Sequence, residues 1–132
     1  MKRKRILLKF LLRFYVKGDF NLKQTEFDEI KLELNGMLFT WDKNKEAINI
    51  RKHNINFTFA ASVFLDNDAF IEYNSVDDYT GEERMDVIGF FGGLIIFIVY
   101  VERVTIDGND IIRIISARKA DKKERERYVN GN

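Results

Sequence analysis

Three groups of basic residues have the side chains to act on a phosphate. Arg51-Lys52-His53 closes a helical pattern, Arg84 stands among acids where a strand pattern opens, and Arg113, Arg118 and Lys119 lie on or just after the last strand pattern. His53 is the chain's only histidine. An imidazole exchanges protons near neutral pH, and a guanidinium offers a planar fork that matches phosphate oxygens. One metal-free reaction uses such groups together: attack of an RNA 2′-hydroxyl on its own phosphate. It needs a base for the hydroxyl proton, cations around the pentacoordinate phosphate and an acid for the leaving 5′-oxygen. His53, Lys52, Arg84 and an arginine of the last strand fit those roles by type. Residue type alone does not select this chemistry. Cations at a helix C-terminus also complement its dipole, and an arginine among acids is an ordinary ion-pair residue. Arg113 and Arg118 are five apart, so an unbroken strand points them to opposite faces. Only a bulge lets both serve one face.

Other chemistries are poorly provided for. There is no glycine-rich phosphate loop, no nucleophile elbow and no His-Glu-x-x-His helix. With no cysteine and one histidine, a zinc site is nearly excluded. Asp66-Asn67-Asp68 and Asp107-Gly108-Asn109-Asp110 lack the ligand series of a calcium loop and read as a helix end and a turn. The expectation is neither metal nor cofactor.

Those residues are positioned by one domain's worth of chain. The 132 residues are 45% hydrophobic and 14% aromatic, enough for one core without disulfide staples. Net charge is +1, but it is unevenly spread. Residues 1–23 carry eight basic side chains and one acid, whereas residues 37–132 carry 13 basic and 16 acidic side chains, a net charge of −3. A nucleic-acid site on this body must be a local basic patch. Residues 66–86 hold eight acids and one base, which reads as a solvated face or a surface for a basic partner.

The spacing predicts a strand over 37–41, then a helix over 43–54 capped by Asp42. Thr58 is read as the cap of a second helix over 59–65. Strands follow over 69–73, 83–91, 94–102 and 110–118, with Gly92-Gly93 and Asp107-Gly108 as turns. Asp121 with Glu124 forms a capping box for a C-terminal helix. The sum is an α+β domain: about four antiparallel strands, two N-terminal helices and one C-terminal helix. Residues 1–36 are set apart as an N-terminal extension and 37–132 as the domain. The extension contains a basic amphipathic pattern over 6–16, compatible with a membrane surface or RNA. Its lysine and arginine interrupt any secretory signal, and no apolar run approaches a bilayer span. Another reading starts the natural protein at Met37.

An ordered set of residues then resembles the BrnT toxin family. It opens with Phe39-Thr40-Trp41-Asp42, Lys45, Asn49, Lys52-His53 and Phe57, and continues through Ala60 or Ala61, Phe64, Asp66, Glu83-Arg84, Gly89 and residues 99–103. It closes with residues 113–120, Glu124-Arg125 and Tyr128. The resemblance implies a RelE-like fold and a metal-independent endoribonuclease in the cytoplasm that cleaves RNA, mRNA foremost, and inhibits translation. It also implies a BrnA-type antitoxin with a ribbon-helix-helix domain, a heterotetramer of two toxins and two antitoxins, and contact with operator DNA only through the antitoxin. Carried onto this chain, Lys52, His53, Arg84 and Arg118 become the catalytic candidates, and Arg51, Tyr100, Arg113 and Lys119 the RNA-binding ones. Tyr100 and Trp41 offer aromatic faces for a splayed base, or else are core. The net charge of −3 favours a second reading, a non-catalytic relative that binds its antitoxin and co-represses the operon. A membrane-surface protein is the third.

Overall fold

The computed structural model describes residues 28–131. The basic pattern over 6–16 lies outside the described residues.

The first element corrects the expected architecture. Residues 29–34 alternate charged and apolar side chains, and Asn35-Gly36 follows them with φ of 50° and 79°. Two consecutive positive-φ residues make the tight turn whose twist suits a hairpin. The result is β1 (Glu29–Leu34) paired antiparallel with β2 (Met37–Asp42). Ile30, Leu32 and Leu34 pack on the core, so the sheet begins inside the stretch set apart as an extension. A shift of charge sign near residue 36 marks no structural boundary, because Lys31 and Glu33 face solvent and Glu29 is held by an ion pair while every second residue is apolar.

Two helices follow, α1 (Lys43–His53) and α2 (Phe57–Val63). Asp42 caps α1 as expected, accepting from the amides of Asn44 at 2.8 Å and Lys45 at 3.0 Å. The second cap was misplaced by two residues. Asn56, not Thr58, accepts from the Phe59 amide at 2.7 Å, and Phe57 is fully buried within the helix. Then come β3 (Phe70–Val76), β4 (Glu83–Phe91), β5 (Leu94–Val104), β6 (Asp110–Lys119) and α3 (Lys122–Asn130). The capping box at Asp121 and Glu124 is present.

Among the described residues there are thus six strands in one mixed sheet, not about four antiparallel ones, in the order β1-β2-β6-β5-β4-β3. The β3–β6 meander is antiparallel throughout. The β1–β2 hairpin joins it through a parallel seam of three pairs, Leu38 with Ile111, Phe39 with Ile112 and Thr40 with Arg113. Parallel pairing is open to these two strands because α1, α2 and three strands lie between them, more than the long connection that a parallel pair needs.

One sheet face carries α1 and α2. Phe39 and Tyr100 both meet the Phe64 ring edge-on at 5.3 and 5.2 Å, and Trp41 meets Phe57 at 6.0 Å. Gly89 on β4 makes room for α2: a Cβ there would lie 2.6 Å from Val63 Cγ1. The opposite face carries α3. Arg127 of α3 pairs with Glu72 of β3 and stands 5.3 Å above the Phe70 ring, while Tyr128 donates to Asp66 at 2.6 Å.

β6 bulges at Ile115. Tyr100 pairs with Ile114 and Val99 with Ser116, so Ile115 has no partner on β5. That extra residue inverts the alternation, and Arg113 and Arg118 both fall on the α3 face.

Candidate active site

Helix α1 presents an unusual stripe to β6. Positions i, i+3, i+4, i+7 and i+8 of a helix share one side, and a docked helix normally places apolar residues there. In α1 they are Lys45, Ile48, Asn49, Lys52 and His53, and Asn49 is the only buried residue of the helix. With Ile115 and Ser116 of the β6 bulge they line a cleft of about 210 Å³. The helix is fixed at both ends. The Glu46 carboxylate accepts from Trp41 Nε1 at 3.1 Å and from the Phe57 amide at 2.8 Å. At the other end Asn54 takes a left-handed conformation with φ 57°, and its amide donates to the Ile50 carbonyl at 2.8 Å. Among the described residues no carboxylate lines the cleft. Two lysines and the histidine of α1 therefore line a small open space beside the β6 backbone, an arrangement suited to holding a phosphate and moving a proton beside it.

The arginines lie elsewhere. Arg84 pairs with Val101, and Val101 with Arg113, so these two arginines occupy one row of the α3 face. Arg118 lies four residues further along the sheet, roughly 13 Å. Each has a carboxylate partner. Arg84 reaches Asp77 at 3.1 Å. Arg113 pairs with Glu29 of β1 and approaches Thr40 Oγ1 at 3.5 Å. Arg118 makes two parallel bonds to Glu124, at 2.7 and 2.9 Å, with its guanidinium 4.2 Å from the Phe97 ring centre. The structure thus brings Lys52 and His53 together, and sets Arg84, Arg113 and Arg118 apart from them on the other face. Arg51 and Lys119 are exposed outside the cleft.

Tyr100 is corrected from its RNA-binding reading. It is fully buried on the helix-covered face against Phe64, so its ring is closed to a base. Trp41, 2% exposed, is core as well. Burial pushes the Tyr100 hydroxyl well above the usual phenol range, with the Glu102 and Asp86 carboxylates adding to it. Three polar cleft residues, Lys45, Asn49 and Ser116, were not singled out as site candidates. Lys45 was legible from spacing, since it sits four residues before Asn49 and seven before Lys52. Ser116 was not, because no spacing in the sequence sets that stretch of β6 beside α1; the tertiary fold does.

A profile of the family described as "Ribonuclease toxin, BrnT, of type II toxin-antitoxin system" matches residues 41–124. The match runs from the end of β2 into the first turn of α3 and includes every residue of the cleft. The domain is thereby of the ribonuclease-toxin class, whose members work opposite an antitoxin. The chain belongs to the BrnT family. No curated protein matches it in sequence. Among the described residues no helix is long and apolar enough to cross a membrane.

Proposed function

We propose that the chain is a metal-independent endoribonuclease of RelE-like architecture, cutting RNA, mRNA foremost, and so inhibiting translation in the cytoplasm. The carrying observation is the cleft, where Lys45, Lys52 and His53 line the space beside the β6 bulge with no acid among the described residues there. His53 accepts the proton of the 2′-hydroxyl as its oxygen bonds to phosphorus. Lys45 and Lys52 hold the phosphate charge. The P–O5′ bond breaks as Lys52 gives the leaving oxygen a proton, and a 2′,3′-cyclic phosphate remains. Arg84, Arg113 and Arg118 hold carboxylates in a geometry that also suits phosphates. In this reading they exchange them for backbone phosphates flanking the cut, with Arg51 and Lys119 at the margin. A BrnA-type ribbon-helix-helix antitoxin neutralises the toxin in a two-plus-two complex that reaches operator DNA through the antitoxin.

The test uses the full chain, freed of antitoxin, with end-labelled RNA in EDTA. Cleavage to cyclic phosphate ends is expected, falling roughly 100-fold or more in His53→Ala and in Lys52→Ala. Intact RNA with a folded chain would favour a non-catalytic partner of the antitoxin. The carboxylate on each of Arg84, Arg113 and Arg118 is the observation that supports that second reading.

A further inference from the structure

β2 stops short of β6. Its last pair is Thr40 with Arg113, after which β2 turns into α1 and, among the described residues, no strand lies beside that edge of β6. An open edge leaves backbone groups unpaired. At Ala117 a side chain takes the strand's place. Asn49 Nδ2 donates to the Ala117 carbonyl at 2.8 Å, and Asn49 Oδ1 accepts from the Ala117 amide at 3.1 Å. A carboxamide has the donor and acceptor of a peptide group, so it pairs with β6 as one residue of a neighbouring strand would. Its second N–H donates to the Ile55 carbonyl at 3.0 Å, tying in the loop after α1. Asn49 is 6% exposed.

We propose that Asn49 is the positioning residue of the cleft, resting on the reading of the cleft as the catalytic site. Lys52 and His53 stand three and four residues beyond it on the same side of α1. Ser116 adjoins the Ala117 peptide that it grips. An apolar residue at 49 would bury the helix equally well but would let it slide along β6. Three directed hydrogen bonds fix the register instead. Misplacing reacting groups by about 1 Å costs about 100-fold in rate, so the register of α1 on β6 sets the rate of cleavage.

The experiment compares the full wild-type chain with Asn49→Ala and Asn49→Asp on end-labelled RNA in EDTA. It is run at a temperature where circular dichroism shows all three fully folded. Asn49→Ala should lower kcat about 100-fold with KM within about threefold of wild type. Asn49→Asp keeps the acceptor for the Ala117 amide and should recover part of that loss. The His53 ring signals in ¹H–¹⁵N spectra should shift in Asn49→Ala. If the alanine variant does not fold, Asn49→Asp and Asn49→Ser carry the comparison. Unchanged kcat in a fully folded variant overturns the positioning role, as does a loss that only follows the unfolded fraction. In either case the cleft reading stands if Lys52→Ala and His53→Ala still abolish cleavage. A wild-type chain that leaves RNA intact, or cleavage indifferent to Lys52 and His53, overturns the cleft reading and the role of Asn49 with it.

Discussion

The Glu46 carboxylate joins the strand before α1 to the helix after it, through the Trp41 indole and the Phe57 amide. Hydrogen bonds to a charged group contribute about 1.5–3 kcal/mol. Glu46→Ala should therefore destabilise the fold by about 2–3 kcal/mol in urea unfolding, leaving the denaturant slope unchanged. Asp86 acts in the opposite sense. Burial pushes its carboxyl above the usual range, and Glu72 and Glu124 add to the push against the Asn74 amide and Arg118. Folding then favours the protonated form. That contribution is complete below the ordinary carboxylate pKa and is lost as pH rises through the folded value. Asp86→Asn should accordingly be more stable than wild type at neutral pH, and the gain should fade by about pH 4, as urea midpoints at the two pH values would show. Single residues were only partly legible in the sequence. Lys52 and His53 stood out by type, whereas the partner of Arg113 is Glu29, 84 positions away, and that of Arg118 is set by how α3 lies on the sheet. Pairings of that kind belong to the tertiary fold.

At the scale of elements, local signals gave good bounds where backbone chemistry decides them. Asp42 and Asp121 start helices because their carboxylates satisfy first-turn amides, and Gly92-Gly93, at φ 59° and 82°, turns β4 into β5. β1 was passed over although alternation and Asn35-Gly36 both announced it. The β6 bulge was named only as a condition, since an inserted residue leaves no mark in an apolar run such as Ile114-Ile115. Two substitutions test the packing of elements. Gly89→Ala should cost about 1–3 kcal/mol, because the new methyl meets Val63 Cγ1 and the Val63 carbonyl oxygen, 3.2 Å away, on α2. Asn54→Gly should gain up to about 1 kcal/mol, since glycine takes the left-handed end of α1 without the Cβ penalty. Thermal melts of both variants check these values.

For the whole molecule, charge and composition gave the class of domain but not its closure. The acidic balance of residues 37–132 is spread so that acids hold arginines on the α3 face while the α1 cleft keeps its cations. No count of charges separates those two faces. What closes the sheet is the seam between β2 and β6, three residue pairs between positions more than 70 apart in the chain. The hairpin and the meander each form between neighbours in sequence, so their loop-closure cost is small. The seam must wait for both. It is then the last part of the sheet to assemble and the first to come undone. Native-state hydrogen exchange should show the amides of Leu38 to Thr40 opening below the global unfolding energy while those of β5 do not. Helix α1 hangs between the two halves, so a breath at this seam would loosen the grip of α1 on β6 without unfolding either half.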